Sequence, residues 1–345
     1  MTTQSYISPG LRFLLSAACL VIVIAGTTLT RFGDIIAHCT KLGGMLVGGI
    51  LISSATSLPE LSIDIHAVHL GAPDLATGDL LGSSLINLLI LAVLDLTRYS
   101  HGDMLSKTSA HHALIANVSM ILAAIPALFI FLGPRLGDFE VLRLGPGNFA
   151  LLAAYIVGIR LIYHSRRSMQ GRGSKQECTK EEGLPWLGKI GLKGAVIGFI
   201  VAAAVILIAA PFLASAAQDL AERSGLGGTF FGTTFVALCT ALPEIVTTFS
   251  AVRMRALDMA LGNILGSNCF NMLIFIPLDL IHDGPLFAAV SQSHIYTALC
   301  TVVVTCAVIM GQLSRVERKR PFLEPDALLV IALIFAAFTG LYFIR

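Results

Sequence analysis

Thr56-Ser57-Leu58-Pro59-Glu60, followed by Gly82-Ser83-Ser84-Leu85-Ile86-Asn87, places hydroxyl, amide and carboxyl groups inside apolar sequence. The same phrase returns as Thr240-Ala241-Leu242-Pro243-Glu244 and Gly266-Ser267-Asn268-Cys269-Phe270-Asn271, at a constant offset of 184 residues. Laid over each other without a gap, residues 44–96 and 228–280 are identical at 21 of 53 positions, among them Gly48/Gly232, Pro59/Pro243, Glu60/Glu244, Asp74/Asp258, Gly82/Gly266 and Asn87/Asn271. Shared apolar composition does not produce a gapless match of this kind. This is an internal repeat, and it decides the fold class.

Working outward, 55% of the 345 residues are hydrophobic and only 13% are charged, with a mean hydropathy of +0.82. A soluble domain carries roughly 25% charged residues, so the composition is that of an integral membrane protein. The seven Cys show no C-x-x-C spacing and read as small hydrophobes rather than a disulfide framework or a zinc site. The first apolar run, 11–29, reads as a retained span rather than a cleaved leader, because further apolar segments follow at once.

A helix needs about 20 residues to cross about 30 Å of hydrocarbon. Such windows fall near 11–31, 43–69, 75–96, 111–133, 147–164, 190–215, 227–252, 257–280, 293–313 and 325–344. The expected fold is therefore all-α, with ten transmembrane helices. The polar stretch 165–189, rich in Lys, Arg, Glu and Gly, divides them into a first repeat (1–164) and a second (190–345) of five spans each.

Alternating the spans puts 18 of the 23 Lys and Arg on one side of the membrane and 5 on the other. By the positive-inside rule the first side is cytoplasmic and both termini lie outside. Five is odd, so the two repeats enter the membrane in opposite senses. Inverted repeats of secondary transporters place their sites near the bilayer midplane, where interrupted helices of the two halves meet. Spans 2, 3, 7 and 8 are thus singled out, with spans 2 and 7 broken at the centre.

Glu60 and Glu244 lie well inside apolar windows that contain no Lys or Arg. An ionisable group there costs at least about 2.5 to 3.5 kcal/mol unless partnered. A bound cation supplies the missing charge; a carboxyl kept neutral to bond a neighbouring helix is the blander reading, and its recurrence in both repeats weakens it. Each Glu follows a Pro, which leaves the carbonyl four residues earlier, on Ala55 and Cys239, without its donor and loosens Thr56 and Thr240. Carbonyl oxygens beside carboxylates suit a hard cation such as Ca²⁺. Ser83 and Asn87, and Ser267 and Asn271, fall at i, i+4 on one helical face, where they serve either the site or helix packing. The glycines at 78, 82, 262 and 266 read as packing positions.

The pair T-S-L-P-E with G-D-L-L-G-S-S-L-I-N, and T-A-L-P-E with G-N-I-L-G-S-N-C-F-N, resembles the alpha-repeats of the sodium/calcium exchanger family, within the cation/calcium antiporters. The resemblance implies alternating-access antiport of Ca²⁺ against Na⁺ or H⁺. It further implies that Glu60 and Glu244 are the central carboxylates, with backbone oxygens of Thr56 and Thr240 completing the Ca²⁺ site. Ser57, Ser83 and Ser267, with the backbone at Ser53 and Ala237, match flanking Na⁺ positions, and Asn87 and Asn271 match the midpoint polar pair. The chain departs from the pattern at Ala241, where the first repeat has Ser57, at Asn271 in place of Asp, at Ser84 in place of Asn, and at Asp79 in place of the Asn of G-N. One hydroxyl ligand and one acid are lost, which leaves the stoichiometry, three sodium ions included, open.

Asp64 is an additional carboxyl one turn beyond Glu60, where the second repeat has Thr248. It reads either as a second protonatable group that favours H⁺ coupling or as a solvated carboxyl near the membrane face. His66 and His69 read as interfacial. The stretch 165–189 is too short for a calcium-sensing domain, and its Arg166, Arg167 and Arg172 suit anionic lipid.

The expected partners are Ca²⁺, a monovalent coupling ion and the lipid bilayer of the cell (inner) membrane, without nucleic acid and with the oligomeric state open. No cofactor and no covalent chemistry are expected. No complete G-x-x-x-x-G-K-[ST] occurs, which excludes an ATP-driven pump on this chain. A channel would carry a continuous polar file, whereas here polar residues concentrate at one depth. An H⁺-coupled divalent exchanger and a degenerate, non-transporting relative are the remaining rivals. The orientation has a direct check: a reporter active only in the cytoplasm should work when fused within 171–189 and fail when fused after Arg345.

Overall fold

The apolar windows fold as helices in this computed structural model, which describes residues 9–96, 110–137, 139–170, 191–223, 237–314 and 325–344. The first half of the chain contains α1 (Pro9–Thr40), α2 (Gly44–Thr56), α3 (Leu58–His69), α4 (Pro73–Asp95), α5 (Ala110–Leu136) and α6 (Pro146–Gln170). The second contains α7 (Leu192–Arg223), α8 (Leu242–Arg253), α9 (Leu257–Ile281), the short α10 (Leu286–Ala289), α11 (Ser293–Ser314) and α12 (Pro325–Ile344). Among the described residues there is no strand, only an isolated bridge between Val141 and Leu144.

Among the described residues eight of these helices are long and apolar enough to cross a membrane, or nine if the bent pair α2 and α3 is counted as one span. The window expected at 227–252 is described only from residue 237 onward, and most of the expected linker, 171–189, with its Arg172 and Cys178, lies outside the described residues. Several helices outrun their windows: α1 continues to Thr40, α6 to Gln170 and α7 to Arg223. Polar residues at those ends can stay helical because the backbone ladder needs no apolar surroundings.

The most central helices are α4 and α9. The latter touches α2, α3, α4, α5, α6 and α8, and Leu261, Ile264, Leu265, Phe275 and Leu278 along it are fully buried. Pairings recur when the halves are exchanged: α3 lies on α4 as α8 lies on α9, α5 on α6 as α11 on α12, and α9 on α5 and α6 as α4 on α11 and α12. The long helices α1 and α7 lie against each other at the flank. Outward-facing positions such as Leu20, Ile24, Phe131, Ile197, Ile200 and Phe335 remain exposed, as a lipid-facing belt requires.

Apolar burial does not separate helix–helix contact from lipid contact in a bilayer, so close approach of small residues has to do so. At the contact between α2 and α9, a Cβ added to Gly266 would strike the backbone of Gly49, and one on Gly48 would strike the carbonyl of Met259. The packing reading is met at Gly262 and Gly266 but not at Gly82, where a Cβ would meet nothing within 4 Å, nor at Gly78, where it would make only ordinary contact with the His294 ring. The approach is made beside a π-helical stretch, Val47–Ile52, within α2. Replacing Gly266 with Ala forces the two backbones apart, so it should destabilise the fold by about 1–3 kcal/mol, visible as a lower melting temperature in detergent.

Candidate cation site

Helices α2 and α3 meet at Ser57 with a bend of 42°. The expected helix break is present, rather than a simple proline kink. Pro59 stands in the first turn of a new helix, where its missing N–H is harmless. The second repeat does the same: 237–240 are helical, Ala241 leaves the helix, and α8 opens with Leu242-Pro243-Glu244. In both copies the hydrogen bonds flanking the break match, Ser57 N–H to Ser53 and Leu61 N–H to Ser57 in one, Ala241 N–H to Ala237 and Ile245 N–H to Ala241 in the other.

Each glutamate therefore sits in the first turn of a half-helix, at the positive end of its dipole, where an anion is favoured. Each also accepts its own backbone N–H. That donor would serve the carbonyl of Thr56 or Thr240 in an unbroken helix, so the break loosens the carbonyls expected to be ligands. Glu60 is 5% exposed and Glu244 2%, and the two carboxyls are close enough to feel each other's charge. The Thr56 hydroxyl reaches the Glu244 carboxyl across the repeats. None of the ion pairs among the described residues involves either glutamate.

Five buried oxygens of the expected set have no hydrogen-bond partner among the described residues: Glu60 Oε2, Glu244 Oε2, Ser57 Oγ, Ser267 Oγ and Asn271 Oδ1. Both repeats contribute. The other expected residues are nearby but engaged. Asn271 donates from Nδ2 to Ser83 Oγ at 2.9 Å, and Asn87 donates from Nδ2 to Asn268 Oδ1 at 3.0 Å. Asn268 itself donates to the Ser84 carbonyl at 3.1 Å, so α4 and α9 are joined at mid-length by amides. The Thr56 and Thr240 hydroxyls donate to the carbonyls of Ser53 and Ala237 at 3.2 and 2.9 Å. Those two carbonyls already serve two donors each, which leaves them the least available of the expected ligands. Among the described residues no three His, Cys, Asp or Glu side chains form a group able to hold a metal ion.

The sequence profile described as "Sodium/calcium exchanger protein" matches residues 11–163 and 194–344. The chain belongs to the sodium/calcium exchanger family. It is 28% identical over 314 residues to the inner membrane protein YrbG of Escherichia coli (strain K12), covering 87% of this chain and 89% of that one. To the sodium/calcium exchanger MaX1 of Methanosarcina acetivorans it is 25% identical, covering 77% and 82%. The fold matches the sodium-calcium exchanger NCX_Mj soaked with Na⁺ and zero Ca²⁺ at a TM-score of 0.67 and 18% identity, covering 95% of this chain and 98% of that one.

Within this exchanger fold the remaining acids divide by how they are satisfied. Asp279, near the end of α9, accepts Gly145 N–H and Asn148 Nδ2 on one oxygen and Leu286 N–H on the other, all at 2.6 Å. Asp258, at the start of α9, meets His112 Nε2 at 2.8 Å, and its repeat counterpart Asp74 meets His294 Nε2 at 3.0 Å. Residue patterns did not disclose these ties, although the repetition of Asp74 and Asp258 was the available signal. His66 and His69 are exposed, as interfacial residues should be, whereas Asp64 is 1% exposed, which excludes the solvated reading. Asp279→Ala orphans three buried donors at about 1–3 kcal/mol each; it should abolish stable expression or sharply lower the melting temperature, and Asp279→Asn should restore some of it.

Proposed function

We propose that this exchanger is a secondary antiporter that carries Ca²⁺ against Na⁺ or H⁺ by alternating access, its cargo held between Glu60 and Glu244. The observation that carries the reading is the buried glutamate pair, set at two matching helix breaks, ringed by unpartnered oxygens and, among the described residues, paired with no fixed cation. Thr56, Thr240, Ser57, Ser83, Ser267, Asn87 and Asn271 form the rest of the site, and Ser53 and Ala237 are drawn in only if a rearrangement frees their carbonyls. The chemistry is transport, with no covalent step.

The layout is ten spans in two inverted repeats, 1–164 and 190–345, joined by 165–189, in the inner membrane with both termini outside. Support comes from the exchangeable helix pairings and from the ties at the helix ends. Asp74 with His294, and Asp279 with Gly145 and Leu286, join segments that alternating spans put on one face, while His112 with Asp258 joins segments on the other.

Mechanism follows from charge. An empty site holds two carboxylates in a low-dielectric interior, where each uncompensated charge costs several kcal/mol. One Ca²⁺ or two monovalent cations neutralise it, so a loaded site can be occluded and turned to the other face, whereas an empty one resists the passage. Exchange rather than leak is the result. Asn271 in place of an acid removes the charge that a third Na⁺ would balance, so the exchange is electroneutral, and Asp64 leaves H⁺ open as the coupling ion.

In proteoliposomes, ⁴⁵Ca²⁺ counterflow should be measurable and should not respond to an imposed membrane potential. Glu60→Gln or Glu244→Gln should lower it about 100-fold, the cost of leaving one buried charge unmatched. Imposing a Na⁺ and then a pH gradient identifies the driving ion. Absence of counterflow would favour a non-transporting relative.

A further inference from the structure

The two repeats differ in charge beside the site. In the second, Asn263 of α9 is buried and donates from Nδ2 to the hydroxyls of Thr248 and Thr247 at 2.9 Å each, a neutral contact with its donors satisfied. The 184-residue offset puts Asp79 in the place of Asn263 and Asp64 in the place of Thr248. A hydrogen-bonded amide and hydroxyl are thus exchanged for two acids, and Asp79 lies near enough for the two charges to repel.

Asp64 is 1% exposed, and among the described residues neither of its carboxylate oxygens has a hydrogen-bond partner. Asp279 shows how this chain treats a carboxylate kept for structure: it surrounds it with donors. Asp64 receives none, and none of the ion pairs among the described residues includes Asp64 or Asp79. Asp79 is half-buried, so the pair lies between Glu60, one turn away along α3, and a less enclosed stretch of α4.

We propose that Asp64 and Asp79 form a second cation site, a staging position for a divalent ion on the access route lined by α3 and α4. Two carboxylates match a divalent cation in charge and offer only oxygen, the ligand set of a hard ion such as Ca²⁺, with carbonyls and water completing the shell. The corresponding route beside α8 and α9 has only the neutral Asn263 and Thr248 and lacks the site. Divalent capture is therefore favoured from one face, the outer one in the orientation set by Lys and Arg. The proposal rests on the antiport reading for its role but not for its existence.

Equilibrium dialysis of ⁴⁵Ca²⁺ on the purified full chain tests it, using Asp64→Thr with Asp79→Asn, which copies the neutral contact of the second repeat, and Asp64→Asn with Asp79→Asn should the first fold poorly. The expected result is one fewer Ca²⁺ bound per chain, and a half-saturating external Ca²⁺ for uptake raised about tenfold or more by loss of two partly buried charges. A chain carrying Glu60→Gln and Glu244→Gln should keep one Ca²⁺, lost when the aspartate pair is also replaced. That result without any counterflow in the wild type would sink the antiport role and leave the site standing. Normal counterflow with equal Ca²⁺ stoichiometry in wild type and aspartate variant would overturn the site alone. A change confined to the pH dependence, at unchanged Ca²⁺ stoichiometry, would assign a shared proton to the pair and overturn it too.

Discussion

Two carboxylates held within reach of each other, in a slab where water is scarce, form an interaction that repels unless a positive charge stands between them. The rest of the fold is arranged about this repulsion. Each glutamate is given a half-helix N-terminus, which offsets some of the cost through the backbone dipole. That termination is possible because Pro59 and Pro243 start helices where an unbroken ladder would have continued. The break then frees the oxygen-rich backbone and hydroxyl surface that a hard cation needs.

Holding the two breaks face to face falls to the neighbouring helices. The backbones of α2 and α9 approach at Gly48, Gly49, Gly262 and Gly266 more closely than any side chain would allow. Asn87, Asn268, Asn271 and Ser83 then join α4 to α9 by amide hydrogen bonds. Glycine contact sets how near the helices come, and amide pairing sets their relative position along the axis. Neither element carries charge, so neither competes with the glutamates for a cation.

The acids of this chain thus have different fates. Asp279 is saturated with donors and serves as a structural clamp. Asp74 and Asp258 meet histidines at opposite ends of the bundle. Glu60, Glu244 and Asp64 keep oxygens that none of the described residues satisfies. A carboxylate left this way inside a membrane fold is costly, and a function that brings a cation to it accounts for its presence.

The repeat, the membrane class, the positions of the breaks and the two glutamates beside them were all legible in the residues alone, because each rests on local chemistry: a gapless copy, an apolar window, a proline before a glutamate. The sequence marked Asp64 and Asp79 as departures but left Asp64 undecided between solvent and site. It was silent on the clamp at Asp279 and on the histidine partners. Only the tertiary structure decided which polar groups are satisfied, since the partners that Asp279 finds in Gly145 and Asn148, and those of the central asparagines, lie more than a hundred residues away. A linear pattern orders neighbours along a helix. Whether a buried oxygen meets a donor depends on which helices are pressed together, and in a bilayer that is settled by close contacts between small residues that hydropathy does not register.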